Sequence, residues 1–170
     1  MMLKAQPLKS MQVELEPLRP DHAAELAPLL ADPALYRYIG GEPPSLPELR
    51  SRFERQSTGI SPDGREAWLN WVIRTPDTHA AAGTVQATVS ADGAAAVAEL
   101  AWVVATVHQG RGLAKAAARV VVNWLREHGV RELCAHVNPH NRASAAVAAS
   151  IGLSPTEAMH EGERTWRSLV

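Results

Sequence analysis

At 170 residues with a net charge of −1, the chain suits one domain with a real core and makes no electrostatic case for nucleic acid as a partner. Its only cysteine, Cys134, excludes an internal disulfide, so a reducing compartment, the cytoplasm, is expected. The opening MMLKAQPLKS is polar rather than signal-like, and the longest apolar run, 94–107, is too short to span a bilayer and contains Glu99, so no membrane role is expected.

One domain is expected over 1–170, with 1–11 a frayed N-terminal extension. Gln12–Leu18 alternates as an opening strand, broken by Arg19-Pro20-Asp21. Asp21 is placed to cap a helix over Ala23–Leu30, which Pro33 closes. Ser45-Leu46-Pro47-Glu48 has the spacing of a capping box and predicts a helix to about Gln56. After a polar loop, 57–65, three strands are predicted: Ala67–Arg74, Gly83–Ser90 and Ala98–Val104. The middle one alternates Val85, Ala87 and Val89 against Thr84, Gln86 and Thr88, and Ala91-Asp92-Gly93 marks the turn after it. In the third, Glu99, Ala101 and Val103 oppose Leu100, Trp102 and Val104.

Leu113, Ala116, Ala117, Val120, Val121, Trp124 and Leu125 recur at the helical period, and Gly129 ends that helix. A strand over Glu132–Val137 and an alanine-rich helix over Arg142–Ser150 follow. The tail, Ala158–Val170, suits a hairpin turning near Glu161-Gly162-Glu163. An antiparallel meander followed by a strand–helix–strand crossover describes an α/β domain with a mixed sheet.

The stretch Val107-His108-Gln109-Gly110-Arg111-Gly112-Leu113-Ala114-Lys115 joins the third of those strands to the long helix. Two readings are open at this point. The glycines either let a strand turn sharply into a helix, or bare the N–H groups of a helix N-terminus to an anion, with Arg111 and Lys115 adding positive charge. A Walker loop needs a wider glycine spacing and a Lys-Ser/Thr pair, and a dinucleotide fingerprint needs a third glycine where Lys115 stands. Neither pattern is met.

The segment Gln109-Gly110-Arg111-Gly112-Leu113-Ala114 resembles the pyrophosphate loop of the GNAT acyltransferases, Gln/Arg-x-x-Gly-x-Gly/Ala. The strand Glu99–Val104 precedes it at that family's distance. Downstream, Asn138-Pro139-His140-Asn141-Arg142-Ala143-Ser144 and Ser150-Ile151-Gly152-Leu153 are similar to its second conserved region, in the style of the ribosomal-protein N-terminal acetyltransferase branch. The order of elements agrees over roughly residues 12–170.

The resemblance implies a mixed, mostly antiparallel sheet with helices on both faces and a parallel pair of strands, Ala98–Val104 and Glu132–Val137, that splay to admit acetyl-coenzyme A. It implies an N-acetyltransferase in which a primary amine, on a small molecule or a protein N-terminus, attacks the thioester directly in a ternary complex. Backbone groups of Trp102, Val103 and Val104 then pair with pantetheine. Gln109, Gly110, Arg111, Gly112, Leu113, Ala114 and Lys115 hold the pyrophosphate, and Asn141 and Arg142 touch the cofactor. The N–H of Val103 or Val104 is the candidate donor for the developing oxyanion.

A lysine-like amine is mostly protonated at neutral pH, so a base is needed. Glu99 is the candidate, because burial of a carboxylate in an otherwise apolar strand suits proton abstraction; the alternative is a surface ion pair. Many relatives place a tyrosine, as acid for the thiolate, where this chain has Ala148. Ser144 is the candidate in its place, its other reading being a helix-start residue that bonds backbone N–H groups. The missing tyrosine also supports a second function, a non-catalytic acyl-coenzyme A sensor or interaction module.

Trp68 and Trp71 fall on opposite faces of one strand. One belongs to the core, and the other can line an acceptor pocket with Asn70, Gln86 and Tyr36 or Tyr38. Cys134 and His136 share a face, and Cys134 is read as a small buried residue rather than a nucleophile. His136 and His140 have metal-ligand spacing, but no cysteine or acidic partner is evident, so no metal is expected. A homodimer through the C-terminal hairpin is a generic option.

Overall fold

A computed structural model describes residues 2–92 and 95–168. The chain opens with β1 (Leu8–Lys9) and β2 (Glu14–Pro17), then α1 (His22–Leu26), a 3-10 turn (Pro33–Tyr36) and α2 (Leu46–Gln56). Strands β3 (Glu66–Arg74), β4 (Ala81–Asp92) and β5 (Ala95–Val104) form the meander. A second 3-10 turn (Thr106–His108) leads to α3 (Leu113–Glu127), β6 (Glu132–Val137), α4 (Arg142–Ser150), β7 (Leu153–His160) and β8 (Glu163–Ser168). The eight strands lie in the order β1-β2-β3-β4-β5-β6-β8-β7, and only β5 and β6 pair in parallel.

Local signals explain most boundaries. The Ser45 hydroxyl accepts from the Glu48 N–H at 3.3 Å and starts α2, as the capping-box spacing requires. Gly129, at φ +86°, ends α3 in a Schellman turn: Val130 N–H bonds Leu125 O and Gly129 N–H bonds Arg126 O. α1 is shorter than the predicted Ala23–Leu30, and Asp21 does not cap it, because its carboxylate is taken by Arg19 at 3.0 Å. The expected turn at Ala91-Asp92-Gly93 runs into residues outside the description, and β4 continues through Asp92.

The expected frayed extension is the clearest difference. Leu8 and Lys9 pair with Leu15 and Glu14, and the indole N–H of Trp71 donates to Gln6 O at 2.7 Å. Leu3, Ala5 and Leu8 cover the apolar core, which an unattached segment would not do.

Helices cover both faces. Under α3 and α4 lie Leu15, Leu69, Trp71, Ile73, Val85, Leu100 and Leu133, with Trp71 fully buried and edge-on to Trp124 at 6.0 Å. Under α1 and α2, a smaller cluster joins Leu18, Leu26, Leu49, Phe53 and Val72, with Val103 against it. Arg74 straps α1 to this face. Its guanidinium makes two bonds to Glu25, at 2.7 and 2.9 Å, and one to Glu16 at 2.6 Å.

Candidate active site

The parallel pair runs in register from Val97↔Glu132 to Leu100↔Ala135 and stops there, although both strands continue. Beyond that point β5 stays on β4, down to Gly83↔Val104, while β6 stays on β8. The strands part, leaving a cleft between Ala101–Val104 and His136–Val137. Gly83 marks where β4 and β5 are pressed together, because a β-carbon there would collide with the carbonyl oxygen of Val103.

The ladder phase decides which backbone groups face the cleft. Ala105 N–H donates to Ala82 O at 2.8 Å, so by antiparallel alternation Val103 and Ala101 turn their groups to β4. Those of Trp102 and Val104 turn to the parted side. Gln109 takes one of them, its Nε2 donating to Val104 O at 3.0 Å and tying the loop to the strand end. The Val104 N–H and both groups of Trp102 are left on the open edge, and Val103 points the other way.

At the end of the cleft, Gly110 (φ +79°) and Gly112 (φ +73°) are both left-handed, which glycine adopts without penalty. The first bond into α3 is Ala116 N–H to Gly112 O. The N–H groups of Gly112, Leu113, Ala114 and Lys115 therefore have no partner among the described residues. A β-carbon on either glycine would meet nothing within 4 Å. Arg111 and Lys115 are exposed beside this edge, with the Arg111 guanidinium 3.3 Å from His108 Nδ1. Open donors, a helix dipole behind them and free space ahead fit a pyrophosphate.

Asn141 caps α4 by accepting the Ser144 N–H at 3.1 Å. That replaces the capping role considered for Ser144, whose hydroxyl makes no hydrogen bond among the described residues. Ala148, the usual tyrosine position, is fully buried. Arg142 lies with Arg37, Tyr38 and His140 in an open cleft of 610 Å³.

Glu99 lies on the α2-facing side of β5, and its side chain is 53% exposed. The burial expected of it is absent; its partners across the pairing are Thr88 and Cys134. Its Oε1 is 3.6 Å from His136 Nε2, while His136 Nδ1 is held 3.1 Å from the Thr165 hydroxyl. His136 also stacks on His160, the ring centres 4.7 Å apart. Burial, and after it the Glu99 charge, push the Cys134 thiol above its ordinary range, which fits a small packed residue rather than a nucleophile. Ligand-type atoms of Glu99, Cys134 and His136 lie within 4.8 Å of one another. The sequence spacing pairs His136 with His140, whereas Glu99 joins Cys134 and His136 only through the parallel register, which sets it opposite Cys134.

Trp68, Asn70 and Gln86 line one pocket of 340 Å³ on the same face, together with Thr88, Arg52 and Arg55. Tyr36 and Tyr38 do not line it, although the Arg52 charge reaches the Tyr36 hydroxyl. The Tyr36 hydroxyl donates to Leu30 O at 2.9 Å, and the Tyr38 carbonyl accepts from Asn138 Nδ2 at 3.2 Å. Arg52 and Arg55 lie on α2, whose capping box predicts the helix but does not say which of its side chains face the strands.

The acetyltransferase (GNAT) domain profile matches residues 12–154. The chain belongs to the GNAT acetyltransferase family. No curated protein matches the sequence. Among solved structures, an acetyltransferase from Agrobacterium tumefaciens is similar at a TM-score of 0.73 and 24% identity, over 100% of this chain and 98% of that one. RimL, a ribosomal-protein alpha-N acetyltransferase in complex with coenzyme A, is similar at 0.74 and 15%, over 97% and 98%. The microcin self-immunity acetyltransferase MccE, in complex with acetyl-CoA and AMP, is similar at 0.74 and 15%, over 94% and 93%. At these identities the likeness is one of fold. That GNAT fold is the mixed, mostly antiparallel sheet with helices on both faces that the resemblance implied. Among the described residues no helix is long and apolar enough to cross a membrane.

Proposed function

We propose that this GNAT member transfers the acetyl group of acetyl-coenzyme A to a primary amine, by direct attack while both substrates are bound. The observation that carries this is the parting of β5 and β6 after Leu100↔Ala135, with the unpartnered N–H groups of Gly112–Lys115 at its end. The complexes of RimL with coenzyme A and of MccE with acetyl-CoA support it.

The N–H groups of Gly112–Lys115 take the pyrophosphate, and Trp102 offers its N–H and C=O to the amides of pantetheine, as a further strand would. The acceptor amine comes from the α2-facing side, where Glu99 receives its proton directly or through a water. The Val104 N–H is the donor placed for charge developing on the thioester oxygen. The Ser144 hydroxyl is the candidate donor to the departing thiolate, and Asn141 holds the helix that carries it. Small amines and protein N-terminal amines are both acceptors of this kind.

Thiol release, measured with acetyl-coenzyme A and a panel of amino acids, polyamines, aminoglycosides and N-terminal peptides, tests this. Turnover on at least one amine is expected. Glu99→Gln lowers kcat about a hundredfold, within the usual worth of a general base, and leaves coenzyme A affinity unchanged. Tight cofactor binding with no turnover on any amine would instead establish a sensor, the reading that the buried Ala148 favours.

A further inference from the structure

The pocket on the α2 side has a charge that the acetyl-transfer reading does not use. Two of its walls are guanidiniums, Arg52 and Arg55, one helical turn apart on α2, and none of its lining residues is acidic. Neither arginine makes a salt bridge among the described residues. Arg55 bonds only the Ser51 hydroxyl, at 3.2 Å.

The floor mixes an aromatic ring with polar side chains, and the Trp68 indole N–H is already bonded to the Glu66 carboxylate at 3.0 Å. Trp68, Asn70, Gln86 and Thr88 come from adjacent rungs of β3 and β4, paired as Trp68↔Thr88 and Asn70↔Gln86. Asn70 Nδ2 donates to Gln56 O at 3.4 Å, and Gln56 Nε2 reaches Gln86 Oε1 at 3.5 Å, so α2 is fastened over the floor and its arginines are held at the rim. The same rungs continue into the reaction centre, since Thr88 faces Glu99 across β4 and β5 and Gln86 faces Ala101. One strand spacing, about 4.8 Å, separates the pocket floor from the row that carries Glu99.

Resting on the acetyl-transfer reading, we infer that the acceptor is a small amine carrying an acid group, of the amino acid or aminoalkyl phosphate class. Its acid is gripped by Arg52 and Arg55 and its amine is turned toward Glu99. Guanidiniums recognise carboxylate and phosphate by the same paired N–H geometry, so the shared chemistry is an oxyanion within a few bonds of the amine. A polyamine or an aminoglycoside would bring positive charge against both arginines.

Matched pairs test this. The L-amino acids and their primary amides, with 3-aminopropyl phosphate beside 3-aminopropanol, are offered with acetyl-coenzyme A, and kcat/KM is read from thiol release. Binding of each to the protein–coenzyme A complex is measured by calorimetry. The acid is expected to exceed its neutral partner at least tenfold in kcat/KM and in affinity. The better of carboxylate and phosphate identifies the acid. In the Arg52→Gln/Arg55→Gln double variant the acid falls to parity with its amide while coenzyme A affinity holds. The Lys/Lys double variant, which keeps the charge but not the fork, restores part of the preference.

Amides or polyamines turned over as well as acids would overturn the inference and leave acetyl transfer standing. Acids that bind more tightly than amides, with no thiol released from any amine, would support the pocket and overturn acetyl transfer instead. Neither binding nor turnover of any acid would overturn the inference.

Discussion

Gly112→Ala separates a cradle from a plain turn. Gly112 sits at φ +73° with nothing within 4 Å of the position its β-carbon would take. The folded chain therefore suffers no clash, only the cost of a left-handed L-residue, about 1–2 kcal/mol. For a chain of this length that lowers Tm by about 2–8 °C. Gly64, at φ +74° and equally free of neighbours, lies in the loop before β3, away from α3. Gly64→Ala is the control, with the same backbone cost and no anion at stake.

The two variants differ in what the added methyl displaces. At Gly112 it is added at the helix N-terminus that carries the unpartnered N–H groups of Gly112–Lys115. Losing one hydrogen bond to a charged phosphate oxygen costs about 1.5–3 kcal/mol, so coenzyme A affinity is expected to fall about tenfold to a hundredfold. Calorimetric titration of coenzyme A into wild type and both variants, with thermal melts alongside, provides the numbers. If Gly112→Ala loses the same stability as Gly64→Ala and binds coenzyme A like wild type, the phosphate reading of this loop is wrong.

Two further outcomes concern the scaffold. Although burial pushes the Glu16 carboxyl up, hydrogen bonds from Arg74 and Arg19 outweigh it and hold its pKa at about 2, against 4.5 unperturbed. A carboxyl depressed in this way stabilises the fold above its unfolded value, and that stability is lost as pH falls from about 4.5 toward 2. With the side chain about one-third exposed, roughly 1–2 kcal/mol is at stake, and urea melts of Glu16→Gln should show a flatter loss over that window; an unaltered slope would refute it. Gly83→Ala forces a β-carbon onto the Val103 carbonyl, and backbone cannot swing aside as a flexible side chain can. Destabilisation of about 1–3 kcal/mol is expected with a raised KM for acetyl-coenzyme A, because β5 must shift at the lip of the cleft. Wild-type melts and kinetics would show that the close approach does not matter.

What could be read from sequence was whatever depends on neighbours along the chain. The Ser45–Glu48 cap, the α3 stripe ended by Gly129, β6 and α4 each follow from spacings shorter than two helical turns, and the observed boundaries agree. The glycine loop was visible for the same reason, since its donors and its turn lie within six residues. The N-terminal segment was misread because Leu8 and Lys9 form too short a strand to carry an alternation. What holds them is Trp71, sixty-five residues from Gln6 along the chain.

The acceptor side was the least legible, for a physical reason. Its floor comes from two strands and its rim from a helix, so Arg52 and Trp68 become neighbours only once α2 is laid over β3 and β4. Parity along β3 was enough to put Trp68 and Trp71 on opposite faces, yet it could not say which side chains of α2 would close the pocket. The same limit applies to Glu99. Its face was set by alternation, but its 53% exposure depends on what lies over that face, where strand pairing brings Thr88 and Cys134 beside it. An apolar sequence around a carboxylate therefore does not imply an apolar surrounding: along a strand, neighbours in sequence point to the other side, and the environment is decided by the strands on either hand.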